Sequence, residues 1–379
     1  MNVIIYNINS FGGNYEYIIR LFAAYKQNKN VESCILIMPV NSEFSETGVR
    51  NILLTDKPRL SNKILRKFHF VYRSLVNPFR FRSFLKKQPH SFVVFNDFDQ
   101  VTALVWPYFF KSLKRKHQFA VTLHDPDRDR FFSWKKLSER TMKNIMSLMT
   151  IAFYHGFLPH KSYYEGDFEK VIVPQGIYYH ETLNASFLDQ LKQTSEGSCL
   201  IGILGNIRDE KNYKIIIDAL PRLENVKLLV AGNPANSGVS TQEYREHAKK
   251  QGVENKVIWM ERYLDDADFN AAIEACDVVL LYYKDSFTSQ SAVLNNIAPY
   301  GKKLIVSDTK SSLTEVVREY GLGAIVPNND VDQLTKAIAE ACLLKNGKPG
   351  EWSRYMNDMS WEKNVAIAVN SYKKLGHES

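Results

Sequence analysis

Residues 205–212 read GNIRDEKN, between the apolar run Cys199 to Leu204 and the helically spaced YKIIIDAL that starts at Tyr213. A strand that turns tightly into a helix presents free N–H groups and the positive end of the helix dipole, and so attracts anions. Arg208 and Lys211 add two cations there, which points to a diphosphate. A second stretch, YYKDSFTSQSAVLNNIAPYGKKLIVSD, leaves a strand end at Tyr282 and carries Thr288, Ser289, Ser291 and Ala292 around a helix start expected near Ser289. Hydroxyl and backbone donors at such a start supply a second phosphate contact. A simple cap explains one of the three hydroxyls, not all of them.

The first half offers two further constellations. TLHDPDRDR places His124 and Asp125 at the end of a buried strand. A histidine there donates or accepts a hydrogen bond to a sugar hydroxyl, carries a proton, or merely satisfies local backbone. NSFGGN puts Gly12 and Gly13 in the first strand-to-helix turn, where the backbone can approach a ligand closely or simply make the turn. A dinucleotide fold would want G-x-G-x-x-G there and an acid after the second strand. FGGNYE and IMPV stand instead, which disfavours a dehydrogenase.

Elements that position these residues follow from the apolar runs. In the first half NVIIYNI, CILIMPV, SFVVFN, QFAVTLH, LMTIAFY and KVIVP are short and continuous, as expected of parallel strands covered on both faces. In the second half CLIGILG, VKLLVAG, KVIWM, DVVLLYY, KKLIVSD and GAIVP repeat the arrangement. Helical patterns separate them, the clearest being Tyr15, Ile18, Ile19, Phe22 and Tyr25. The fold class is therefore α/β, with two doubly wound Rossmann-like domains. The expected limits are 1–180, 181–358 and a last amphipathic helix in 359–379 that packs back on the first domain. Ligands sit beyond the carboxyl ends of such strands, and the cleft between two such domains is the expected site.

Composition narrows the function. With 379 residues, 45% hydrophobic and 24% charged, the chain is a globular protein of two domains rather than a disordered one. The start MNVIIYNINSFGG reads as a strand and turn, not a signal peptide, and the longest apolar run, Val101 to Phe110, is too short to span a bilayer. Cys34, Cys199, Cys276 and Cys342 have no metal-ligand or redox spacing and read as reduced core residues in a cytoplasm. The net charge of +8 gathers in NKILRKFHFVYRSLVNPFRFRSFLKKQ (62–88) and KSLKRKH (111–117). That pattern suits an anionic membrane surface, or a solvated helix face with its apolar side in the core. No nucleic-acid motif accompanies the charge, so nucleic acid is not an expected partner.

Together these segments resemble GT-B fold glycosyltransferases, in particular the retaining glycosyltransferase family four. GNIRDEKN is similar to the family's turn in which a Lys at the position of Lys211, with an Arg nearby, holds the donor diphosphate. VIWMERYLDDADFNAAIEACDVVLLYYKDS and GKKLIVSDTKSSLTEVV resemble the approach to the donor site and the strand that follows it. FGGN looks like the acceptor-side glycine loop, TLHD like the strand-end His that contacts the donor sugar, and VIVPQGI like the stretch closing the first domain. The family's two glutamates correspond to Thr288 and Asn296, and its Arg after the turn glycine to Asn206. Asn296 can still bond ribose hydroxyls, less strongly than a carboxylate.

The resemblance implies transfer of a hexose-type sugar from a UDP- or GDP-sugar to a glycan or lipid-linked hydroxyl, with retention and in cell-surface polysaccharide synthesis. The expected location is cytoplasmic, peripheral on the inner face of the membrane. Lys211, Arg208 and His124 are the expected catalytic residues. Gly12, Gly13, Asn206, Thr288, Ser289, Ser291, Ala292 and Asn296 line the donor. Lys211, Arg208 and the amides near Ser289 to Ala292 would stabilise the departing diphosphate, so neither a metal nor a separate cofactor is expected. In an inverting enzyme Asp125 or Asp97 would be the base. A non-catalytic nucleotide-sugar or glycan-binding protein is the alternative, and a sugar-nucleotide epimerase would want carboxylates where Thr288 and Asn296 stand.

Overall fold

Runs such as FVVF and VVLL are too short for helices and too apolar to face water, so they pair in parallel and bury both faces. A computed structural model describes residues 1–58, 60–131, 134–235, 238–344 and 351–377. The chain divides into two compact units, Met1–Gly176 with Met359–Ser379, and Ile177–Asp358.

The first unit carries β1 (Asn2–Tyr6), β2 (Ser33–Pro39), β3 (Val49–Leu53), β4 (Phe92–Phe95), β5 (Gln118–Leu123), β6 (Ile151–Tyr154) and β7 (Glu169–Ile172). The parallel sheet runs β3-β2-β1-β4-β5-β6-β7. Its order reverses between β1 and β4, where open α/β sheets bind ligands. Around it lie α1 (Gly13–Gln27), α2 (Lys63–Lys87), α3 (Trp106–Phe110) and α4 (Lys135–Met146). The second unit carries β8 (Cys199–Leu204), β9 (Val226–Ala231), β10 (Val257–Met260), β11 (Val278–Leu281), β12 (Lys303–Asp308) and β13 (Ala324–Pro327). They run β10-β9-β8-β11-β12-β13, with the reversal between β8 and β11.

Helices of the second unit are α5 (Ala185–Thr194), α6 (Tyr213–Ala219), α7 (Thr241–Lys250), α8 (Asp266–Ala275), α9 (Ala292–Ile297), α10 (Ser312–Tyr320), α11 (Val331–Leu343) and α12 (Trp352–Asp358). Side chains of Asn184, Asp265, Ser311 and Asp330 accept N–H groups at the starts of α5, α8, α10 and α11 and so fix where those helices begin. The last helix, α13 (Trp361–His377), belongs to the first unit. Trp361 meets Tyr17 of α1 edge to face at 5.0 Å, and Asn364 Nδ2 donates to the Tyr17 hydroxyl at 3.1 Å and to the Pro174 carbonyl.

All twelve strands expected from apolar runs are present, and β3 is additional. One expectation is corrected. Cys199 at the start of β8 and Cys342 near the end of α11 form a disulfide, Cα to Cα 5.8 Å, so only Cys34 and Cys276 are free thiols. The two lie 143 positions apart, and only the packing of α11 beside the sheet brings them together. Among the described residues no helix is long and apolar enough to cross a membrane.

Candidate active site

In the second unit the turn after β8 begins at Gly205, whose φ of 81° is favourable only for glycine. Its carbonyl lies against Gly232 at the end of β9, where a Cβ would stand 2.3 Å from that oxygen, so the turn is seated on the neighbouring strand end. Ile207 N–H donates to the Asn233 carbonyl at 2.9 Å and holds the next residue in place. Asn206 and Arg208 are exposed, whereas Lys211 is buried.

Lys211 Nζ donates to the carbonyls of Leu204 and Gly205 at 2.5 and 2.9 Å, which ties the ammonium to the strand end. Burial, and then the neighbouring Arg208, push its pKa down to about 7. Of the acids in the turn, Asp209 is already engaged by Lys284 Nζ at 2.6 Å and the Tyr244 hydroxyl at 2.9 Å, and Lys284 holds its carboxyl below the usual range. Among the described residues neither Arg208 nor Lys211 has a carboxylate partner. Two cations are thus kept together with no protein anion between them.

The stretch after β11 adjoins this turn, since a Cβ on Gly205 would stand 3.3 Å from Val293 and 3.7 Å from Lys211 Nζ. The helix expected near Ser289 starts later, at Ala292, with Ser291 as its unbonded cap residue. Ser291 is buried, and its hydroxyl lies 3.1 Å from that of Tyr283. Thr288 and Ser289 do not belong to a helix. Their carbonyls accept the Ser312 and Leu313 N–H groups of α10, both at 3.3 Å. In a planar trans peptide the C=O and the following N–H point oppositely, so the amides of Ser289 and Gln290 face away from α10. Neither amide donates to any described residue, nor does that of Ser291 or Ala292. Asn206, Arg208, Lys211, Ser291 and Ala292 therefore gather at one switch point. Asn296 sits a turn further along α9, its Oδ1 accepting from His180 Nε2 at 2.7 Å and its Nδ2 donating to the Ala292 carbonyl at 2.8 Å.

In the first unit Gly12, with φ 80° and ψ −177°, precedes α1, and Gly13 opens it; a Cβ on either would meet nothing within 4 Å. Asn9 and Asn14 on either side of these glycines both donate to Asp97 Oδ2, the latter at 2.9 Å, while Phe98 N–H donates to Oδ1 at 2.8 Å. Asp97 thus clamps the glycine turn with Oδ2, while Oδ1 is held by its own following residue. Burial raises its pKa, opposed by these hydrogen bonds. His124 follows β5, and the register Leu123 with Tyr154 places it beside His155 after β6, ring centroids 5.5 Å apart. Tyr17 packs edge-on against His124 at 4.6 Å.

Reasoning from sequence missed Lys284, Asn7, Asn96 and His155. The signal available for three of them is a polar residue directly after a buried strand, in IIYN, VVFN and AFYH. Lys284 has no such local signal.

Comparison with known proteins defines the class. Residues 188–375 match the family model described as Glycosyl transferases group 1. The sucrose-phosphate synthase of Thermosynechococcus elongatus superposes with a TM-score of 0.70 at 13% identity over 100% of both chains. The structure of Anabaena HepE in complex with UDP and glucose gives 0.68 at 14% identity, also over 100% of both chains. These likenesses show the fold, which is GT-B. In sequence the chain is 24% identical over 182 residues to D-inositol 3-phosphate glycosyltransferase of Mycobacterium ulcerans, a match that takes in 46% of this chain and only 38% of that relative. Residues 188–375 thus match the glycosyltransferase group 1 domain, in a chain with the GT-B fold.

Proposed function

We propose that the protein transfers a hexose-type sugar from a UDP- or GDP-sugar to a hydroxyl of a glycan or lipid-linked acceptor, with retention and without a metal. The observation that carries this is the pair Arg208 and Lys211, without a carboxylate partner among the described residues, beside the turned-out amides of Ser289 and Gln290. Charge builds on the departing diphosphate, and cations and amides fixed in advance stabilise it without reorganising. A nucleotide-sugar donor agrees with the UDP and glucose complex of HepE. Retention rests on the likeness to family four, with a phosphate oxygen taking the acceptor proton, and on Asp97 having both oxygens engaged. His124 receives a hydroxyl of the sugar.

The acceptor reading rests on α2. Ile64, Phe68 and Tyr72 are 63, 69 and 59% exposed, among the exposed Arg66 and Lys67. Aromatic and aliphatic side chains interleaved with cations fit an anionic bilayer, and a lipid-linked acceptor would be met there, on the cytoplasmic face, in polysaccharide synthesis.

Incubation of the purified protein with UDP- and GDP-hexoses and a polyprenyl-linked sugar, followed by mass spectrometry and assignment of the product anomer, tests the proposal. A glycosylated product of retained configuration is expected. Release of no nucleotide from any donor would favour a second reading, a binding protein of the same fold, which the Thr288 and Asn296 substitutions support.

A further inference from the structure

A chain of side-chain amides in the first unit fixes how His124 carries its proton. Asn7 Nδ2 donates to the Asn9 carbonyl at 2.6 Å, and a carbonyl can only accept. The other amide atom of Asn7, its Oδ1, therefore faces Asn96 and accepts from Asn96 Nδ2 at 3.0 Å, which also lies 3.4 Å from the Asn14 carbonyl. That orientation leaves Asn96 Oδ1 towards His124 Nε2 at 3.0 Å, so Nε2 must be the donor. Asn7 and Asn96 are fully buried, and turning the Asn7 amide over would set its oxygen against the Asn9 carbonyl, while turning Asn96 alone would set its oxygen against Asn7 Oδ1 and the Asn14 carbonyl.

We infer that Asn96, oriented by Asn7, is a positioning residue that holds His124 as the Nε2–H tautomer, so that Nδ1 accepts a hydrogen bond from a ligand hydroxyl. His124 is then a reader of hydroxyl groups and not a proton carrier. The groups around it agree. Burial, then His155 beside it and Arg128 in the following turn, hold its pKa well below the usual histidine range, opposed by the Asn96 backbone. His155 donates Nδ1–H to the Val173 carbonyl at 3.0 Å and is itself pushed down to about 4 by burial. Tyr17 of α1 contributes an uncharged ring. Asp125 adjoins in sequence, and Asp97 adjoins Asn96 but has Oδ2 on Asn9 and Asn14 beside the glycine turn and Oδ1 on the Phe98 N–H.

This inference rests on the transferase reading for its ligand and on geometry alone for its tautomer, and the two can fail separately. Nitrogen-15 spectra of the histidine-labelled protein, with His124 assigned by its loss in His124→Gln, should show a protonated Nε2 and a bare Nδ1 that do not change between about pH 6 and 8. A proton on Nδ1, or titration within that range, would overturn it. In Asn96→Asp the carboxylate faces Nε2–H and raises the pKa, so turnover should fall by about tenfold for each pH unit below the new midpoint, while the parent stays flat. A flat profile in a folded Asn96→Asp protein would also count against the relay. If no nucleotide sugar is turned over while the spectrum is as expected, the transferase reading falls and the relay stands.

Discussion

Lys284 engages the Arg208 turn twice, its Nζ on the Asp209 carboxylate at 2.6 Å and its backbone N–H on the Glu210 carbonyl at 2.8 Å. The acid that follows Arg208 is thereby neutralised by a cation from another strand end, and the site keeps a net positive charge. Replacing Lys284 with Met frees Asp209 to compete for Arg208 and Lys211. UDP or GDP affinity should fall about two- to fivefold, since one exposed carboxylate is worth about 0.5 to 1 kcal/mol. Stability should change by less than about 1 kcal/mol, because both partners are exposed. Restoration of affinity in Asp209→Asn with Lys284→Met is expected by calorimetry.

Lys211 gives the site a pH dependence. Its pKa stands at about 7, so the ammonium is present below that value and lost as pH rises through it. A bound diphosphate favours the charged form and raises the pKa, so binding takes up a proton above neutrality. Nucleotide affinity should weaken from pH 6 to pH 8.5, with proton uptake visible in buffers of different ionisation enthalpy. Lys211→Met should bind more weakly and lose that uptake.

The seat of the turn is sensitive to a single methyl group. Gly232→Ala would place Cβ 2.3 Å from the Gly205 carbonyl oxygen, at a φ of 152°. Backbone must shift, and a loss of roughly 2 to 4 kcal/mol in denaturant unfolding is expected, with nucleotide binding impaired in the fraction that folds.

On α2, Phe68→Glu with Tyr72→Glu removes two exposed aromatic side chains and adds charge of the wrong sign for an anionic surface. Co-sedimentation with vesicles containing phosphatidylglycerol should be lost, while the parent binds at low salt and less at moderate salt. Circular dichroism should be unchanged, since both side chains stand in solvent.

Local pattern made the strands and the cationic turn legible, because a buried parallel strand is a continuous apolar run and GNIRDEKN follows one directly. The strand β3 escaped because an edge strand needs no such run: VRNIL exposes Arg50 and Asn51. The helix after β11 was placed at Ser289 because serine is a good cap, but the carbonyls of Thr288 and Ser289 are taken by α10, so α9 begins three residues later. The cap of Asp209 by Lys284, the Asn7–Asn96–His124 chain and the Cys199–Cys342 disulfide join residues 75, 89 and 28, and 143 positions apart. No local pattern encodes such pairs, because strand order brings the first two together and the packing of α11 beside the sheet brings the third.

The central claim is that Arg208, Lys211 and the amides after β11 hold a diphosphate. Calorimetric titration with UDP, GDP, CMP and NAD, each with and without magnesium, for the parent and for Lys211→Ala, tests it most directly. One nucleoside diphosphate should bind the parent without a metal requirement and bind the folded variant at least about tenfold more weakly. Equal affinity in both proteins, or no binding of any of the four to the parent, would contradict it.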